Sequence, residues 1–236
     1  MSTPWHVAIV IPARDEQELL PRCLRSIQNA RLMLPSHITS DLIVVADEST
    51  DDTIKIARNF VQDKGTVVEA EVGCVGAARA LGAQRAVERY RGARNRCWLA
   101  NTDADCLVPA TWLLDQITLA NAGFAAVAGI IDVDSFAEHE SFVYERFRLS
   151  YLIHADGTHP HVHGANLGVR ADAYLQAGGW RDLSTAEDHD LWRRLQSGRH
   201  RRVSDARLCV VTSGRRVGRA PFGFAGALAA HNGVTG

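Results

Sequence analysis

The sequence predicts an α/β protein built on a mostly parallel, Rossmann-like sheet flanked by helices. Two observations carry that expectation. The runs at residues 7–11, 42–46 and 97–100 are apolar throughout, with no polar alternation, as strands buried on both faces require. Between these runs lie segments with apolar residues at helical spacing, so strands and helices alternate along the first hundred residues.

Taken in order, Val7-Ala8-Ile9-Val10-Ile11 is the first strand, stopped by Pro12, and residues 16–27 follow with Leu19, Leu20, Leu24 and Ile27 on one helical face. Residues 42–46 form the second strand; the polar segment 47–52 then leads into a helix carrying Ile54, Ala57 and Phe60 or Val61. Thr66-Val67-Val68 is a third, short strand, residues 76–90 are an alanine-rich helix, and residues 97–100 are the fourth strand. The second half is less regular. Residues 109–122 read as helical, 124–133 as extended and 136–153 as amphipathic, and 164–169 as a short strand or loop. Residues 171–177 form a short helix ended by Gly178-Gly179, and 187–196 a helix with Leu191 and Leu195 one turn apart. No internal repeat, low-complexity linker or domain boundary is visible, so a single domain over 1–236 is expected.

Composition narrows the function classes. The chain of 236 residues is 46% hydrophobic and 22% charged with a formal net charge of -1, which suits an ordinary soluble globular protein and gives no electrostatic footprint for nucleic acid. Only Lys55 and Lys64 are lysines, so the arginine-rich run after Leu191 reflects overall arginine usage. No stretch reaches the ~20 apolar residues of a membrane span, and residues 1–6 lack a signal-peptide pattern, so a cytoplasmic protein is expected, with peripheral membrane association left open. Five cysteines without Cys-x-x-Cys spacing argue against a disulfide framework or a zinc ribbon.

Ligands of parallel sheets bind beyond the carboxyl ends of the strands. Residues 12–16, 47–51 and 103–105 all fall at such ends, and the last of these segments is Asp103-Ala104-Asp105. Two carboxylates one residue apart repel each other unless a cation neutralises them, and a divalent metal carrying a diphosphate would do so. Taken alone, Asp-x-Asp beside the turn formers Asn101 and Thr102 is equally an ordinary polar loop. Its convergence with two other polar loops favours a site.

With these loops in view, the chain resembles glycosyltransferase family 2, inverting enzymes of GT-A fold. The resemblance rests on Ile9-Val10-Ile11-Pro12-Ala13-Arg14-Asp15-Glu16, Ile43-Val44-Val45-Ala46-Asp47-Glu48-Ser49-Thr50-Asp51, Asp103-Ala104-Asp105, Gly178-Gly179-Trp180 and Glu187-Asp188, in that order. It implies a nucleotide-binding half over 1–105, an acceptor and catalytic half over 106–219, and a tail over 220–236. Pro12, Ala13, Arg14 and Glu16 would line the nucleotide pocket, Asp47 would accept a hydrogen bond from the base, and Arg79 would sit near the donor phosphates. Asp105 would bind the metal, manganese or magnesium, and Asp103 ribose or a metal-bound water. Asp188 would be the general base, Glu187 would position the acceptor or cap its helix, and Asn166, Arg170 and Trp180 would meet the donor sugar or acceptor. The partners implied are a nucleotide-diphosphate sugar and an acceptor that the sequence does not identify.

Other readings of the same residues stay open. Ser184-x-x-Glu187 is a capping-box pattern, Trp180 suits a core aromatic after a glycine turn, Arg79 suits a solvated helix position, and Asp47 suits a turn or helix cap. Departures from the family pattern are Asp15 in place of Asn and Ala46-Asp47-Glu48-Ser49 in place of Asp-Asp-Gly-Ser. The Gln-x-x-Arg-Trp motif of processive synthases is absent, and Gly214-Arg215-Arg216 lies in that region, which implies single-sugar transfer with Arg215 or Arg216 on a C-terminal loop near the diphosphate. His159-Pro160-His161-Val162-His163 places three imidazoles on one face of an extended segment, as a metal site or as an exposed polar loop. Competing functions are a sugar-phosphate nucleotidyltransferase, which would want a glycine-rich loop where Pro12 to Glu16 stand, and a phosphatase, which would carry its Asp-x-Asp after the first strand. The third is a non-catalytic binding subunit of the same fold.

Overall fold

The computed structural model describes residues 4–62, 65–220 and 223–233. Seven strands form one sheet: β1 (His6–Ala13), β2 (Thr39–Asp47), β3 (Gly65–Ala70), β4 (Cys97–Asn101), β5 (Ala126–Val133), β6 (Leu167–Arg170) and β7 (Arg202–Thr212), in the order β3-β2-β1-β4-β6-β5-β7. Pairing is parallel except for β6, which runs antiparallel to both β4 and β5. The mostly parallel sheet expected from the apolar runs is therefore present.

The runs lack alternation because both faces are covered. Val7, Ile9 and Ile11 of β1 enter one core together with Leu20, Leu24 and Ile27 of α1 (Leu20–Leu32), Ala57 and Val61 of α2 (Thr53–Val61), and Trp112, Leu113 and Ile117 of α4 (Trp112–Asn121). Ala8 and Val10 point the other way, as a period of two dictates, into a second core built on α3 (Val75–Arg89), α6 (Ala171–Gln176) and α7 (Glu187–Ser197). Gly82 lets α3 approach the sheet: a Cβ there would lie 2.4 Å from Val10 Cγ1. The result is three layers, helix on sheet on helix.

Four sequence expectations change. The first helix begins at Leu20 and not at residue 16, because the Glu16 carbonyl first accepts the N–H groups of Leu19 and Leu20 in a turn. The amphipathic stretch 136–153 contains only the short α5 (Val143–Ser150). β7 is an unforeseen strand: its first half is polar because it lies at the sheet edge, and its pairing with β5 shifts register between Gly129 and Ile130. The segment read as a tail carries α8 (Phe224–Ala230), whose Leu228 is buried against Val143 and Phe147 of α5. Among the described residues, no helix is long and apolar enough to cross a membrane.

Candidate active site

Strand order reverses between β1 and β4, where connections leave in opposite directions and a crevice opens beyond the carboxyl ends of the strands. A cleft occupies that crevice, where ligands of such sheets bind. Seven of the residues expected at the site line it: Pro12, Ala13, Arg14 and Glu16 after β1, Asp47 at the end of β2, and Asp103 and Asp105 after β4. The far wall comes from beyond β7, with Thr212, Ser213, Arg215 and Arg219, and from Phe224 and Ala225 of α8.

The loop after β1 and the loop after β2 fix one another. Arg14 Nη2 donates to Asp47 Oδ2 at 2.8 Å and pairs with Glu48 at 2.9 Å, while Asp47 Oδ1 accepts the N–H groups of Val72 (2.8 Å) and Gly73 (3.1 Å). Thr53 Oγ1 accepts the N–H of Glu16, and Asp15 Oδ1 accepts from Thr50. Asp47 thus organises a loop with both oxygens engaged, the turn role that its residue type allowed, while it still faces the cleft. Asp15 and Glu48 have φ of +49° and +50°, and Ala186, directly before the Glu187-Asp188 pair, has +57°. Left-handed backbone at a non-glycine residue costs roughly 1–3 kcal/mol and collects at functional loops. Three of the five such residues among those described flank this site.

Asp105 is 8% exposed, and burial pushes its carboxyl above the usual range despite the Arg215 guanidinium beside it. Glu16, 4% exposed, is raised for the same reason. One nitrogen, Arg215 Nη2, contacts both: 2.6 Å to Glu16 Oε1 and 2.9 Å to Asp105 Oδ2. Of the two arginines offered by sequence, Arg215 therefore faces the cleft, whereas Arg216 is exposed and anchored through its backbone N–H to Glu138.

Asp103, Asp105 and Cys106 each present a ligand atom within 4.8 Å of the others, the one such group of three among the described residues. Burial pushes the Cys106 thiol well up. Two carboxylates facing a cleft suit a hard, oxygen-seeking divalent cation that completes its shell with phosphate oxygens and water. The donor set therefore fits magnesium or manganese.

The remaining predicted residues are not among those lining this cleft. Arg79 is buried and unsolvated: Nη2 lies 2.5 Å from Asp103 Oδ1, Nε 3.3 Å from Glu187 Oε1, and its guanidinium sits over the Trp180 ring at 5.5 Å. It touches the Asp-x-Asp loop and not the cleft itself. Glu187 is buried against Arg79 and caps nothing; the N-cap of α7 is Ala186, with no side-chain capping bond, so the capping-box pattern is not realised. Burial raises the Glu187 carboxyl, opposed by Arg79. Asp188 is half-buried, accepting the N–H of Gly164 at 2.8 Å and that of His189 at 2.7 Å. Trp180 is a core aromatic at 6% exposure. Asn166, expected at the acceptor, is a core pin at 1% exposure: its amide donates to the carbonyls of Ile130 and Leu208 and accepts from Trp112 Nε1, which leaves no surface for a ligand. Arg170 pairs with Asp172 at 2.6 Å, away from the cleft lining.

The three histidines do not converge on a point. His159, His161 and His163 stack with ring centroids 6.0 and 6.1 Å apart, Tyr151 stacks on His161, and the Tyr151 hydroxyl bonds His163 Nε2 at 2.7 Å. Burial lowers His163 to about 3, so its ring is neutral where it shares a hydrogen bond with the tyrosine hydroxyl.

Of the far wall, sequence reasoning offered Arg215 and missed the rest. Thr212, Ser213 and Arg219 sit more than a hundred residues from the Asp-x-Asp loop, and only the topology brings them there.

A family model described as glycosyl transferase family 2 matches residues 8–176. A search of the curated proteins finds no match. Solved structures with similar folds include a mannosyltransferase, PcManGT from Pyrobaculum calidifontis, in complex with GDP-Man and Mn2+. It has 18% identity, covers 96% of this chain and 68% of its own, and has a TM-score of 0.62. S. aureus TarS 1-349 in complex with UDP-GlcNAc has 14% identity, covers 90% of this chain and 60% of its own, and has a TM-score of 0.61. The chain thus spans about 60% of the length of the TarS 1-349 structures and 36% of a longer TarS structure. At these identities the likeness shows the fold, which is GT-A.

Proposed function

The chain belongs to glycosyl transferase family 2, and from that premise we propose that it moves one sugar from a nucleoside-diphosphate sugar to an acceptor hydroxyl with inversion, using a divalent metal at Asp105 and Asp188 as general base. The observation that carries this reading is the cleft itself: the loops after β1, β2 and β4 meet at the switch point and put two carboxylates against its floor. In its support, the similar structures were solved with GDP-Man and Mn2+ and with UDP-GlcNAc.

The residues divide the work. Arg14, Asp47 and Gly73 form the end of the cleft that would take the base, and Asp103 and Asp105 the end that would take the diphosphate. Manganese or magnesium held by these two carboxylates would act as a Lewis acid for the departing nucleoside diphosphate. Asp188 would remove the acceptor proton as the acceptor oxygen bonds the anomeric carbon and the bond to the diphosphate breaks. Its oxygens are oriented by two backbone N–H groups. Arg79 would keep this base in register with the donor, because it joins Asp103 to Glu187, the neighbour of Asp188.

The test is thermal-shift binding of uridine, guanosine and deoxythymidine diphosphates and their sugars, with and without Mn2+, followed by turnover with candidate acceptors. Metal-dependent stabilisation by one nucleotide, lost in Asp105→Asn, is expected. Stabilisation without any transfer or donor hydrolysis would favour a binding subunit, and no stabilisation would remove the assigned cleft.

A further inference from the structure

We propose that Arg215 is the resident counter-cation of the Glu16 and Asp105 carboxylates in the donor-free protein, and that a divalent cation reaches Asp105 only by displacing it. The inference rests on the metal reading above and concerns what stands in the metal's way.

Three observations lead there. First, Glu16 and Asp105 are both buried, and buried carboxylates are costly unless a cation accompanies them. Arg215 Nη2 contacts both, at 2.6 and 2.9 Å, and its own side chain is 18% exposed. Second, Asp105, whose Oδ2 Arg215 contacts, belongs to the group of three residues that could hold a metal. A dication bound there would sit beside a guanidinium of the same sign, and like charges repel strongly in a cleft where water is scarce. The two cations therefore exclude one another.

Third, the backbone that carries Arg215 is fixed. The N–H of Gly214 donates to Asp134 Oδ1 at 2.9 Å, its carbonyl bonds His139 Nε2 at 2.8 Å, and a Cβ at Gly214 would fall 1.7 Å from the Ser135 carbonyl oxygen. The other oxygen of Asp134 pairs with Arg22 at 2.7 Å, and Arg22 also donates to the Asp105 carbonyl at 3.2 Å. One carboxylate thus ties down both the root of Arg215 and the Asp-x-Asp loop. Displacement is a rotation of the Arg215 side chain about a rigid root, within a cleft where a diphosphate would be its next anionic partner.

The experiment measures Mn2+ binding to the nucleotide-free protein by the electron paramagnetic resonance of free Mn2+. Arg215→Met is expected to bind Mn2+ about five-fold or more tightly than the unaltered chain, at the low end of usual coupling between sites. Arg215→Lys, which retains a cation, and Arg216→Met, on an exposed neighbour, should bind as the unaltered chain does. Should the methionine variant fail to fold, Arg215→Gln keeps a hydrogen-bond donor for the two carboxylates without the charge and should give the same gain. Unchanged or weaker Mn2+ binding in the neutral variants overturns the inference. Asp105→Asn separates the two levels: tightened binding must vanish in the Arg215→Met/Asp105→Asn double variant. Binding that ignores Asp105→Asn defeats the metal reading itself, and the inference with it.

Discussion

In the proposed reaction Asp105 and Asp188 have different tasks, and their surroundings differ. Asp105 is buried beside a guanidinium, and Asp188 is half-buried and held by two backbone N–H groups. Asp188→Asn keeps the shape but loses the proton acceptor, so kcat should fall about 100-fold or more with little change in nucleotide binding; steady-state kinetics alongside nucleotide titration will check it. His163 gives a prediction in pH. Its folded value of about 3 lies below the ordinary 6.5, so the unfolded chain takes up the proton first as pH falls. The stability tied to its neutrality is complete above pH 6.5 and is lost as pH drops from there toward 3, by up to ~1.4 kcal/mol per pH unit. His159 and His161 are lowered too and act in the same direction, whereas Glu16, Asp105 and Glu187 are raised and oppose it as they protonate. Urea denaturation between pH 7 and 5 should show declining stability, with a shallower decline in His163→Gln.

Arg79 shows how elements are joined. It leaves α3, meets the loop after β4 through Asp103 and meets the start of α7 through Glu187, and Gly164 gives it room, since a Cβ there would approach Nη2 to 2.6 Å. Removing one partner of a buried ionic cluster strands the others, so Arg79→Met should destabilise by roughly 3–5 kcal/mol in urea unfolding. The same geometry explains what sequence could and could not reveal. Apolar runs and the polar loops ending them are local signals, so β1, β2, β4 and seven cleft residues were legible. β7 was not, because an edge strand with Arg202, Ser204 and Asp205 has no buried-strand composition. Glu187 looked like a helix cap because Ser184 stands three residues earlier, but its partner lies 108 positions away and leaves no pattern in the chain. Asn166 and Trp180 sit beside suggestive motifs, yet packing takes both into the interior.

The whole molecule places two cores on opposite faces of one sheet and closes the site with its last elements. α8 is held by Leu228 against Val143 and Phe147, a small cluster apart from the two main cores. Leu228→Ala should therefore cost about 2–3 kcal/mol, near the low end for buried leucine, and should weaken nucleotide binding, because Phe224 and Ala225 at the start of the same helix form a wall of the cleft. A thermal melt with and without nucleotide would show both effects. The contact between Arg215 and Glu16 spans 199 positions, and that between Arg219 and Asp15 spans 204. During synthesis Glu16 and Asp105 emerge long before Arg215, which contacts both. Closing a loop of that length is among the later events of folding. A ribosome-bound chain would thus display Glu16 and Asp105 without their shared guanidinium until residue 215 has been made.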